Sequence, residues 1–184
     1  VASLQSWPTL LVSNLNKEGY VAEITNNPAR NAFTSKDVIT YELPKLIEIK
    51  PDIVTLLIGV NDFVKGVSKE EYKDNLEEII SVVKKNIKDP DNIIIITIPD
   101  FSETPEGKLF GDAGEIKKGI QEYNEVLKEV AKSNRVDVVD VFDLSIELNK
   151  DPNMISPDGL HPSAEAQKKW TDLIYPVFKA KLIR

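Results

Sequence analysis

Hydrophobic residues fall along this chain in two spacings. Ile53–Ile58 and Ile93–Ile98 are short, unbroken and β-branched, the pattern of strands buried on both faces of a parallel sheet. Val136–Val141 alternates, which places it nearer a sheet edge, and Val21–Thr25 is a weaker strand candidate. Helical periods lie between them. Ser6-Trp7-Pro8 reads as a helix start, with Leu10, Leu11 and Leu15 on one face. Ser68 caps a predicted helix over 69–88 whose apolar stripe is Tyr72, Leu76, Ile79, Ile80 and Val83. Another covers 113–132, with Ile116, Ile120, Tyr123, Val126, Leu127 and Val130. Ser163 opens the last one, in which Ala166, Trp170, Ile174 and Val177 face inward and Pro176 is expected to kink or interrupt it. Strands alternating with helices predict an α/β fold, doubly wound and flavodoxin-like, three α/β/α layers around a central parallel sheet.

A length of 184 residues suits one domain over residues 1–184, and neither an internal repeat nor a linker interrupts it. Thirty acidic and 23 basic residues are interspersed and leave a net charge of −7, so nucleic acid and anionic membrane are not expected partners. The absence of cysteine excludes disulfides, thiolate metal sites and cysteine nucleophiles. No apolar run approaches the roughly 20 residues of a membrane span.

The chemistry narrows quickly, because His161 is the sole histidine. It lies in Ser156-Pro-Asp-Gly-Leu-His-Pro162, three residues after Asp158, with Gly159 permitting a tight turn between them. That spacing lets a carboxylate reach one imidazole nitrogen, fixing the tautomer of a general base; the plainer reading is a surface loop with an idle histidine. A second constellation, Gly59-Val60-Asn61-Asp62, follows the strand ending at Ile58. An amide placed there can donate to a developing oxyanion, a contribution of about two to three orders of magnitude in rate, although Asn and Asp also commonly cap turns. The irregular stretch Pro99–Gly111 leaves the C-terminal end of another strand, where open α/β sheets place their sites.

These two blocks carry a resemblance. Gly59-Val-Asn-Asp62 is similar to the asparagine block of the SGNH/GDSL hydrolase family, and Asp158-Gly-Leu-His-Pro162 to its terminal acid–base block. Leu57–Asp62 through Tyr72, Ile98–Pro105 and the tryptophan-bearing final helix resemble one bacterial branch, so the likeness spans nearly the whole chain. It implies an esterase or acylhydrolase acting on small-molecule esters, with short or acetyl acyl groups preferred, through an acyl-enzyme and a Ser-His-Asp triad. His161 would be the base and Asp158 its orienting acid; Asn61 and the N–H of Ala32, within Ala29–Thr34, would form the oxyanion hole. No metal or organic cofactor is required. Alanine serves in the glycine position of that block if its backbone needs no positive φ. Asp62, Phe101 and Phe110 are candidates for the substrate pocket.

The family's nucleophile lies in a Gly-Asp-Ser block after its first strand, and no such tripeptide occurs here; Gly111-Asp112 is followed by Ala113. Val1–Gln5 matches the tail of the nucleophile loop, so the serine and the central first strand are expected upstream of Val1. Without that strand the sheet would keep unpaired backbone at its centre. Ser3 and Ser6 follow no Gly-Asp turn; Ser35 and Ser102 read as a helix cap and a loop hydrogen-bonder. Two alternatives remain: a non-catalytic binding domain that kept the fold without the nucleophile, and a flavodoxin-like ligand-binding domain, which lacks any glycine-rich phosphate loop.

Overall fold

The computed structural model describes residues 3–183. Val1 and Ala2, at the head of the segment matched to the nucleophile loop, lie outside the described residues, as does Arg184. Three strands, β1 (Val54–Leu56), β2 (Ile93–Ile96) and β3 (Asp137–Val139), fall inside the ranges the hydrophobic pattern predicts. The helices are α1 (Trp7–Lys17), α2 (Ser35–Asp37), α3 (Leu43–Ile49), α4 (Val60–Val64), α5 (Lys69–Asn86), α6 (Ala113–Ser133), α7 (Phe142–Leu148) and α8 (Ala164–Leu182). No helix of the described residues is long and apolar enough to cross a membrane. The chain forms two compact units.

One unit comprises Thr25–Ile98 and Lys118–Asp140 and contains the whole sheet. The strands are parallel in the order β1-β2-β3, with Val54 opposite Ile93 and Ile94 opposite Asp137. Central β2 has neighbours on both sides, and all four of its isoleucines are buried. Strand β3 lies at the edge of this sheet, with Asp137 exposed, Val138 half-buried and Val139 buried. Among the described residues the other edge of β1 has no strand partner. Helix α5 buries Tyr72, Leu76, Ile79, Ile80 and Val83, the stripe its period predicts, and the Ser68 hydroxyl caps it by accepting from the Glu71 N–H at 3.1 Å. Helices α2 and α3, joined by a π-helical turn at Val38–Glu42, escape a periodicity reading because each is too short to repeat a stripe.

The other unit holds the described residues up to Ile24 with Pro99–Lys117 and the chain from Val141 onward. Helix α1 packs on α8, and Leu11 and Leu15 of the first and Trp170 and Ile174 of the second are buried. The Gln167 side chain accepts from the Trp7 N–H at 2.9 Å, joining the first turns of both helices. Helix α8 runs on through Pro176 without interruption, since packing on its buried face outweighs the ~3 kcal/mol that an interior proline typically costs. One expectation fails here. Val21–Thr25 is not a strand: Val21 and Ile24 are exposed, so the segment has no apolar face to bury. The Asn16 amide takes the place of a neighbouring strand, donating to the Ala22 carbonyl at 3.0 Å and accepting its N–H at 2.9 Å.

Candidate active site

His161 sits on a loop that closes on itself. The Ser156 N–H donates to the His161 carbonyl at 2.7 Å, the Ser156 hydroxyl to the Pro162 carbonyl at 2.9 Å, and Ile155 pairs with Pro162 in an antiparallel bridge. Gly159 takes a φ of +73° inside the loop, where a Cβ would press on the Glu106 side chain at 2.9 Å; the Glu106 N–H bonds the Gly159 carbonyl at 3.0 Å. Asp158 then divides its carboxylate between two tasks. Oδ1 accepts the backbone N–H groups of Leu160 and His161, both at 3.0 Å, while Oδ2 lies 2.8 Å from Nδ1 of the imidazole. Desolvation raises the Asp158 carboxyl, but those N–H groups and the imidazole outweigh it and hold it down at about 2. It is therefore ionised throughout the range in which histidine titrates. Both side chains remain more than half exposed, which leaves the imidazole accessible to a reactant.

In the sheet-bearing unit, a second group of residues comes together from two segments about thirty positions apart. Gly59 begins α4 with a φ of +125°, and a Cβ there would fall 2.5 Å from the Tyr72 hydroxyl and 2.6 Å from Cδ1 of Ile98. The Asn61 amide donates to the Phe33 carbonyl at 3.0 Å, using one of its two hydrogens. The Lys65 ammonium donates to the Ala32 carbonyl at 2.7 Å. Ala32 itself has a φ of +66°, so this position does adopt the left-handed backbone that favours glycine. Its N–H makes no hydrogen bond among the described residues. Asn61 keeps one amide hydrogen and Ala32 its N–H uncommitted among the described residues, while Lys65 holds the Ala32 carbonyl and Asn61 the Phe33 carbonyl.

Asp62 is no pocket wall. It is fully buried, and its carboxylate accepts the Ser35 N–H at 2.9 and 3.1 Å and the Ser35 hydroxyl at 2.5 Å. Asn75 completes the group by donating to the Ser35 hydroxyl at 2.9 Å. Burial pushes the Asp62 carboxyl above the usual range against the opposing bonds from Ser35. Ser35, expected to be a helix cap, is instead this buried partner, and Thr34 does the capping in a reciprocal box with Asp37. Lys65 and Ser35 are the positioning residues that sequence reading missed; nothing local in their surroundings announces partners so distant in the chain. Ser102 hydrogen-bonds within its loop as expected, its hydroxyl donating to Asp100 at 3.0 Å. Phe101 is buried and Phe110 half exposed, their rings edge to face at 5.7 Å, so in the first instance they anchor the 99–111 loop. Among the described residues no three His, Asp or Glu side chains gather as a metal-ligating cluster.

Comparison with known proteins gives the family to which the chain belongs. The sequence profile of the GDSL-like lipase/acylhydrolase family matches residues 2–169. An arylesterase of Vibrio mimicus is 26% identical over 167 residues, covering 89% of this chain and 73% of that protein. Esterase TesA of Pseudomonas aeruginosa is 25% identical over 182 residues, 97% of this chain and 80% of its own. A crystal structure of TesA superposes with a TM-score of 0.77 at 24% identity, covering 98% of this chain and 91% of that one. With a match over nearly its whole length and esterases as its relatives, the chain belongs to the GDSL-like lipase/acylhydrolase family, hydrolases of carboxylic esters.

Proposed function

We propose that this protein hydrolyses small acyl esters, short-chain or acetyl, through an acyl-enzyme formed on a serine that precedes the described residues. The observation that carries the reading is the Asp158 carboxylate, which fixes Nδ1 of His161 at 2.8 Å while two backbone N–H groups hold the carboxylate itself. A proton on Nδ1 leaves the lone pair on Nε2, the tautomer a general base needs. His161 then takes the serine proton as the hydroxyl oxygen attacks the ester carbonyl, and returns it to the departing alkoxide. Asp158 stabilises the imidazolium between these events. The oxyanion receives hydrogen bonds from the Asn61 amide and the Ala32 N–H. Water, activated by the same imidazole, releases the acid and restores the serine. The edge of β1 that has no strand partner among the described residues supports a further strand beside it, and we assign the nucleophile to the turn after that strand.

The test is the intact mass of the full-length protein before and after a fluorophosphonate, with the labelled peptide sequenced. One stoichiometric adduct on a serine N-terminal to Ser3, lost in His161→Ala, is the expected result. No adduct on protein that carries that segment would refute the triad and favour a binding domain.

A further inference from the structure

Beside Ala32 the sheet-bearing unit opens a cleft of about 710 Å³, a size suited to a small organic ligand. Its lining is unusual for a chain of net charge −7: Arg30, Lys45 and Lys65 face it, with Asp37 the sole carboxylate. Asp37, whose carboxylate accepts the Thr34 N–H at 2.9 Å and the Thr34 hydroxyl at 2.8 Å, offsets one of these three charges and leaves the lining net positive. Lys65 is bound to the Ala32 carbonyl. Arg30 and Lys45 form no ion pair within 4 Å among the described residues, although half-buried Glu42 feels the charge of Lys45. One wall is flat and apolar, formed by the stacked rings of Phe33 and Tyr41 with centroids 5.7 Å apart.

From this arrangement we infer that the ester substrate carries an anionic group, a carboxylate or an equivalent oxyanion, on a flat moiety that this cleft binds. The inference rests on the esterase reading, because Ala32 both lines the cleft and supplies an oxyanion donor. Whatever fills the cleft is then joined to the scissile carbonyl through a few bonds. Arg30 and Lys45, neither of them in an ion pair, recognise its charge, and the Phe33–Tyr41 face takes its planar body.

Two ester pairs test it in the full-length enzyme. Acetoxybenzoate with its carboxylate at position 4 is compared with its neutral methyl ester, and 4-nitrophenyl hydrogen succinate with 4-nitrophenyl butyrate. One pair should show kcat/KM about tenfold higher for the anion at low salt, chiefly through KM, falling towards parity near 1 M salt, where the screening length is about 3 Å. Which pair responds tells whether the charge lies on the alcohol or the acyl side. Arg30→Met and Lys45→Met should each reduce the preference about threefold, whereas Lys88→Met, outside the cleft, should leave it intact. Turnover of all four esters without an anionic preference would overturn the inference while the esterase reading stands. If no ester is turned over, calorimetric binding of 4-hydroxybenzoate against its methyl ester still decides. Tighter, salt-sensitive binding of the anion, weakened by Arg30→Met, supports the site, and equal binding removes it.

Discussion

Replacing Asp158 by Asn separates the chemical task of this carboxylate from its structural one. In the parent, Oδ1 accepts two backbone N–H groups and Oδ2 faces Nδ1 of His161. An amide oxygen in the Oδ1 position keeps both backbone bonds, so the loop should persist. The amide NH2 then faces Nδ1, which must offer a lone pair and so carries its proton on Nε2, the wrong tautomer for a base. In serine hydrolases of other folds this exchange lowers kcat by about 10⁴, or about 5.5 kcal/mol of barrier. Stability should change by less than about 1 kcal/mol, since the lost interaction is a half-exposed pair. The measurements are kcat/KM for 4-nitrophenyl acetate and urea unfolding of both proteins. The unfolding comparison has a pH signature. The Asp158 carboxyl is held at about 2, below its ordinary 3.8, so its stabilising contribution is complete above about pH 4 and disappears as pH falls through 2. The parent should lose that advantage over Asp158→Asn across the same window. A variant retaining kcat/KM within tenfold of the parent would refute the role assigned to the Asp158–His161 pair.

Two further substitutions probe the backbone that carries the proposed oxyanion donors. Ala32→Gly should raise stability by about 0.5 kcal/mol, because relief of the left-handed strain at φ +66° slightly exceeds the greater freedom of glycine when unfolded, with kcat/KM kept within about threefold; a loss above 1 kcal/mol in thermal unfolding would contradict that backbone. Gly59→Ala should destabilise by about 3 kcal/mol or more and lower activity, since the new methyl meets the Tyr72 hydroxyl and Ile98 at a φ of +125°; chemical denaturation showing less than 1 kcal/mol would mean that the start of α4 yields more readily than its packing implies.

What the sequence determined by itself is what rests on neighbours in the chain. The α5 stripe, the Ser68 and Ser163 caps and the isoleucine run of β2 follow from periods of 3.6 and 2 and from side chains that bond backbone three residues away. The Asp158–His161 pair belongs to the same class, since an i, i+3 carboxylate and imidazole in a loop with Gly159 need no distant element to meet. Tertiary structure decided the rest. Val21–Thr25 has the composition of a strand, but a strand also needs a partner edge and a face to bury, and composition specifies neither. Asp62 looks like a turn residue beside Asn61, yet Ser35, 27 positions earlier, draws it into the interior. The left-handed turn at Ala32 is likewise held by Lys65 and Asn61, across separations of 33 and 28 residues. Its conformation is settled by contacts that outweigh the local preference of alanine. Such contacts form only once α4 has packed, which is why the shape of the 29–34 loop could not be read from its own residues.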